Sequence, residues 1–157
     1  MTRKAGRPQG TGCKIALVVS RFNDAITKSL VQGAEEELQA LGTEPDDIDS
    51  YVVPGAFELP PVADRVAATG SYDAVVCLGA VIRGSTPHFE HVAGEAARGI
   101  GDVGRRASCP VTFGVLTCDT EEQARERAGG KYGNKGADAA RAALELVDLY
   151  KRIGQVH

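Results

Sequence analysis

Tryptophan is absent from this chain, and only four Phe and four Tyr stand among its 157 residues. The core must therefore be built from Val, Leu, Ile and Ala, and an aromatic at a strand end needs a reason to be there. An excess of one charge is missing too: 18 Lys and Arg face 21 Asp and Glu, for a formal net charge of −3. That is too near neutral to suit a nucleic-acid or acidic-membrane partner. No apolar run approaches the length of a membrane span, and the first residues lack the apolar core of a signal peptide. A cytoplasmic location is the expectation. Cysteine is scattered: Cys13, Cys77, Cys109 and Cys118 include no C-x-x-C pair. Reduced, structural thiols are expected rather than zinc ligands, because zinc requires a cluster. Internal repeats and low-complexity tracts are lacking as well.

What is present suits one domain. The chain is long enough for a real core, with 43% hydrophobic and 25% charged residues. Residues 1–12 carry Arg3, Lys4, Arg7 and Pro8 with little apolar content. They read as a flexible N-terminal arm or an edge addition to a neighbour, before a single domain over residues 13–157. Apolar runs predict strands at 14–20, 49–53, 74–82 and 111–116. Helical patterns fall at about 23–41, 56–69, 87–105, 120–128 and 137–151, with a glycine-rich loop at 129–136. Pro60 and Pro61 must occupy a first turn, since they would break a helix interior. Strands alternating with helices predict an α/β fold. It is expected to be a three-layer α/β/α sandwich, flavodoxin-like, with a four-stranded parallel sheet. Ligands of such sheets bind beyond the carboxyl ends of the strands. The residues there are 20–23, 54–58, 83–88 and 117–120.

These loops hold most of the unusual chemistry. In Gly84-Ser85-Thr86-Pro87-His88, Thr86 suits an N-cap and Pro87 a first helical position. The helix would open with unpaired N–H groups suited to an anion, and His88 would stand beside them as a proton carrier. A capped surface helix with an incidental His is the plain alternative. Phe22 precedes Asn23, the expected cap of the first helix. It is either a hydrophobic staple or an aromatic platform for a flat heterocycle. Glu58 can favour a helix start by its charge or accept hydrogen bonds from a polyol. Arg127 reads as a surface charge unless geometry makes it a phosphate clamp. His88, His91 and Glu95 share a helix face, but two imidazoles are too few for an expected metal site. Gly99-Ile100-Gly101-Asp102-Val103-Gly104 matches G-x-G-x-x-G. It lies late in a helical pattern, where it is expected to weaken or end the helix rather than bind a dinucleotide. The glycine-rich loop lacks the order of a Walker motif.

Six ordered motifs carry a resemblance. They are Ser20-Arg21-Phe22-Asn23, Val53 to Pro60, Leu78 to Gly84, Thr86 to Phe89, Phe113 to Thr117, and Gly133 to Gly136. From about Lys14 to Arg152 the chain resembles the lumazine synthase family, enzymes of the penultimate step of riboflavin synthesis. Cys118 stands where that family often has Thr, and Ser85 is one of several residues found at its position.

The resemblance implies a transferase that uses neither metal nor organic cofactor. It condenses 5-amino-6-(D-ribitylamino)uracil with 3,4-dihydroxy-2-butanone 4-phosphate. The products are 6,7-dimethyl-8-ribityllumazine, phosphate and water. It further implies that Phe22 stacks on the pyrimidine, that Ala56, Phe57 and Glu58 hold the ribityl chain, and that Ala80, Val81 and Ile82 line the pyrimidine seat. Ser85, Thr86 and Arg127 would hold the phosphate, and His88 would move protons. Phe113 and Arg127 would come from the neighbouring subunit of a pentamer. The glycine-rich loop resembles that of members whose pentamers close into an icosahedral shell of about 60 subunits. Riboflavin synthase is a further candidate partner. Two other classes remain open: a flavodoxin-like binding module, and a shell or scaffold protein without catalysis. Ser20-Arg21-Phe22 offers no acidic cluster for a phospho-receiver, and the full set Phe22, Glu58, His88 and Arg127 argues against a spent scaffold.

Overall fold

A computed structural model describes residues 1–154. Gln155, Val156 and His157, included in the expected domain, lie outside the described residues. The larger sheet contains β1 (Ile15–Ser20), β2 (Ile48–Val53), β3 (Ala74–Ile82) and β4 (Val111–Cys118). All its pairings are parallel, in the order β2-β1-β3-β4. The long helices are α1 (Asp24–Ala40), α2 (Leu59–Ala68), α3 (His88–Arg106) and α5 (Lys135–Gly154). Between β4 and α5 lie the short α4 (Glu121–Glu126) and a hairpin of β5 (Ala128–Gly130) and β6 (Gly133–Asn134). This is the expected flavodoxin-like sandwich.

Its layers follow from the alternation of side chains along buried strands. Ala16, Val18, Val75 and Cys77 pack with Leu59, Ala63 and Val66 of α2 and with Ala96, Ile100 and Val103 of α3. The intervening Ile15, Leu17, Val76 and Leu78 pack with Ala34 and Leu38 of α1 and with Ala140, Ala143 and Leu144 of α5. Aliphatic and alanine side chains thus fill both interlayer spaces, as the scarcity of aromatics required. All four cysteines are free and buried. Burial pushes the Cys77 thiol up to about 12, which suits a packing role.

Several local expectations need correction. Asn23 stands at the start of α1 but does not cap it with its side chain. Its backbone is left-handed (φ 63°), and its Nδ2 donates to the Ala80 carbonyl at 2.9 Å. Asn tolerates this conformation better than most residues. Thr86 does not cap α3, which begins one residue later than expected, at His88 with Pro87 in the cap position. The glycines at 99, 101 and 104 do not end that helix, which continues to Arg106. Packing explains this: Ile100 and Val103 are buried between them, and tertiary burial outweighs weak propensity. The glycine-rich loop is a hairpin, with Gly129 (φ 107°) and Gly133 (φ 81°) taking the left-handed turns.

The segment read as an arm touches the domain from Gly6 onward. A Cβ on Gly6 would overlap the Glu145 carbonyl of α5. The Gly10 N–H donates to the Leu41 carbonyl at 2.8 Å, and the Arg7 N–H donates to Asp148 Oδ2 at 2.8 Å. Arg152, and then the Arg7 N–H, hold the Asp148 carboxyl below its usual range. A depressed folded value stabilises the contact above the ordinary carboxylate pKa and loses it as pH falls through the depressed one. Protection of the Arg7 amide, measured by hydrogen exchange and corrected for intrinsic rates, should therefore fall between pH 6 and pH 3. Unchanged protection would mean that Asp148 does not hold the segment.

Candidate active site

The strand order reverses between β1 and β3. The chain leaves β1 toward β2, crosses back to β3, and proceeds outward to β4. The two outgoing crossovers diverge there and leave a crevice at the carboxyl ends of the strands. A cleft of about 770 Å³ occupies this place. Nine of the twelve residues singled out from the sequence line it: Phe22, Ala56, Phe57, Glu58, Ala80, Val81, Ile82, Thr86 and His88.

Phe22 is set by the backbone around it. The Arg21 N–H donates to the Val53 carbonyl at 2.9 Å and the Phe22 N–H to the Pro54 carbonyl at 3.1 Å. These bonds carry the β1–β2 ladder one step past the strands. The left-handed turn at Asn23 then redirects the chain into α1, and the tether to Ala80 ties it to β3. The Phe22 ring is 71% exposed at the cleft. A staple would pack against its helix, so the open ring favours the platform reading of the two.

Pro54 and Gly55 end β2 and lead into a 3-10 turn over Ala56–Glu58. Glu58 Oε1 accepts from the Gly55 N–H at 3.0 Å, which holds the carboxylate at the cleft wall. Ala56 is buried, whereas Phe57 is 54% exposed. Across the cleft, Ala80 and Val81 are buried and Ile82 is half-buried. This apolar stretch can seat the face of a flat ring.

The polar end of the cleft lies where β3 gives way to α3. Gly84, Thr86 and His88 line it. Ser85 is exposed between Gly84 and Thr86 but is not on the cleft wall. The opening N–H groups of a long helix favour negative charge, and His88 is in the first turn of α3. Arg83 fastens this corner. It pairs with Asp119 at 2.8 Å and Glu90 at 3.6 Å, and its guanidinium stands 4.6 Å over the Phe89 ring. The hydrogen bond to Asp119 raises the Arg83 pKa further.

Phe113 and Arg127 are not at this cleft. Phe113 pairs in register with Cys77, midway along β3, and borders a separate groove with Ile100 and Gly101 of α3. Arg127 follows α4 and donates from one guanidinium nitrogen to the Gln123 carbonyl at 3.0 Å. The cleft also contains residues to which sequence reasoning gave no role in the site: Asn23, Pro54, Gly55, Gly84, Phe89, His91 and Val92. The helical spacing of His88, His91 and Val92 was a usable signal for the α3 wall. No comparable signal announced the Asn23 tether, whose partner is 57 residues away. Among the described residues, no three His, Cys, Asp or Glu side chains gather as a metal site. No helix among them is long and apolar enough to cross a membrane.

Residues 12–151 match the family model for 6,7-dimethyl-8-ribityllumazine synthase. Curated relatives of that name from Anaeromyxobacter sp. (strain K) and Anaeromyxobacter dehalogenans (strain 2CP-C) are 56% and 55% identical to this chain. Each alignment spans 146 residues, 93% of this chain and 90% of the relative. A third relative of that name, from Anaeromyxobacter sp. (strain Fw109-5), is 53% identical over the same span.

Proposed function

This chain belongs to the 6,7-dimethyl-8-ribityllumazine synthase family, and from that premise we propose how its residues carry out the reaction. The activity is a transferase condensation in riboflavin biosynthesis. 5-Amino-6-(D-ribitylamino)uracil joins 3,4-dihydroxy-2-butanone 4-phosphate to give 6,7-dimethyl-8-ribityllumazine, phosphate and water. The observation that supports the reading most strongly is the cleft at the strand-order reversal, where Phe22, Glu58 and His88 line one volume.

Phe22 stacks on the pyrimidine, which Ala80, Val81 and Ile82 seat. Ala56, Phe57 and Glu58 hold the ribityl chain, with Glu58 accepting from its hydroxyls. Thr86 and Ser85 hold the phosphate at the start of α3, together with Arg127. His88 moves protons during imine formation and phosphate departure. An amine and a ketone condense without a catalyst, only slowly, so alignment supplies much of the acceleration. The remaining gain is proton transfer by the His88 imidazole acting as a positioned acid–base group.

Phe113 and Arg127 reach the cleft from a neighbouring copy in this reading. Their distance from the cleft within one chain supports it. The assembly is a pentamer, and pentamers close into an icosahedral shell of about 60 subunits by symmetric contacts. The tight β5–β6 hairpin supports close approach of the rings. The protein works in the cytoplasm. Riboflavin synthase, which uses the product, is the proposed protein partner.

One experiment tests the shared site. His88→Ala and Arg127→Ala chains are co-expressed, supplied with both substrates, and followed by lumazine absorbance. With the phosphate substrate held well below its KM for the Arg127→Ala protein, each variant alone should be nearly inactive, and the mixed assembly should exceed both parents because some interfaces keep both residues. Mixed particles no more active than the parents would place the complete site within one chain. Wild-type protein that forms no lumazine would overturn the functional reading as a whole.

A further inference from the structure

We infer that Tyr132 is a positioning residue for the phosphate: its ring face holds the Arg127 guanidinium in place. The inference rests on the reading of Arg127 as a phosphate ligand.

The hairpin after α4 brings the two together. Arg127 is the C-cap of α4, and its carbonyl accepts from the Lys135 N–H at 2.8 Å. The Tyr132 N–H donates to the Glu126 carbonyl at 2.9 Å. Those two bonds fold residues 128–134 back on the end of α4. The turn at Gly133, with φ 81°, completes the reversal. The Arg127 guanidinium carbon consequently lies 4.7 Å from the centre of the Tyr132 ring. This is well inside the range in which a cation is attracted to an aromatic face.

Arg127 shares its neighbouring carboxylate, Glu126, with Lys131. Lys131 Nζ lies 3.0 Å from Glu126 Oε2, whereas Arg127 Nη1 is 3.7 Å from Glu126 Oε1. The carboxylate is therefore held mainly by Lys131, which also stands 5.0 Å over the same ring. Arg127 spends one nitrogen on the Gln123 carbonyl. A guanidinium has five N–H donors in a planar fork. Contact with a ring face consumes no N–H donor, so a ring and one carbonyl can hold the guanidinium while leaving donors for an oxyanion.

The ring face carries the effect and the hydroxyl does not. Tyr132→Phe should therefore retain the parent KM for the phosphate substrate. Tyr132→Leu keeps apolar bulk but removes the aromatic face, and should raise that KM roughly two- to five-fold, the range expected for an exposed cation–π contact. The KM for the pyrimidine and the kcat should stay near parental values. Inorganic phosphate, as a competitive inhibitor, should weaken by the same factor. In an Arg127→Ala background, Tyr132→Leu should add nothing. Equal KM values for the Leu and Phe variants would overturn the inference, as would parallel losses for both substrates. If Arg127→Ala itself leaves the phosphate-substrate KM unchanged, the assignment of Arg127 fails first. If Arg127→Ala raises it and Tyr132→Leu does not, only the role of Tyr132 fails.

Discussion

His88→Ala should lower kcat for lumazine formation about 100-fold, the lower end of what one positioned acid–base group contributes. His88 opens α3 and lines the polar end of the cleft beside Gly84 and Thr86. A proton must reach the departing oxygen when the imine forms, and another must leave carbon when phosphate is expelled. Alanine deletes the nearby carrier but leaves Phe22, Glu58 and the α3 N-terminus unchanged. Product should therefore still form, because substrate alignment persists without the imidazole. The KM values should move much less than kcat. Steady-state assays with each substrate varied in turn provide the check. A variant that turns over at the wild-type rate would remove His88 from the chemistry. His91 lines the same cleft, so His91→Ala is the necessary companion. A larger loss there would transfer the assigned role one turn along α3.

Gly136→Ala should destabilise the fold by about 3 kcal/mol, and Gly136→Val should prevent accumulation of soluble protein. Gly136 opens α5 against α1. A Cβ there would overlap the Leu30 carbonyl and approach Asn134 Oδ1 to 3.0 Å. Neither obstacle can turn aside as a surface side chain can. Leu30 is fully buried, so its carbonyl moves only with the α1 backbone. Asn134 Oδ1 accepts from the Gly136 and Ala137 N–H groups at 2.8 and 3.1 Å, while its Nδ2 donates to the Ser29 carbonyl at 3.0 Å. One asparagine thus caps α5 and fastens it to α1, and displacing it would cost those bonds too. The loss is large beside a net stability of roughly 5–15 kcal/mol. Thermal melts at fixed subunit concentration should show it. Gly94→Ala in α3 is the control, since a Cβ there meets nothing within 4 Å. It should be neutral or stabilising by up to about 1 kcal/mol. Equal melting temperatures for Gly136→Ala and Gly94→Ala would show that the α1–α5 crossing tolerates a side chain.

The legibility of the fold differed by element. β3 was read at its full extent, Ala74 to Ile82, because nine consecutive apolar or small residues suit a strand covered on both faces. Pro60 and Pro61 lie at the start of α2 as expected, since proline is excluded from a helix interior by its ring and missing N–H. Helix starts were less certain. Thr86 and Asn23 have side chains that can cap, yet neither does so. Asn23 instead uses its amide on Ala80. Local chemistry offers such a residue several partners, and the one it takes depends on what the fold brings near.

For the candidate site, the sequence by itself determined the inventory. Alternation of apolar strands with helices dictated a parallel sheet, and a parallel sheet places its working loops at the strands' carboxyl ends. Phe22, Glu58, Thr86 and His88 could be selected on that ground because each directly follows a strand or opens a helix. Only the tertiary structure decided which of these loops share a volume. β2 crosses back over β1 to reach β3, so three strand ends converge on one cleft while Phe113 and Arg127 lie elsewhere in the chain. The reason is physical. Side-chain periodicity reports which face of an element is buried, a property of a few neighbouring residues. Distance between elements is set by crossover direction and by layer packing, which depend on contacts tens of residues apart.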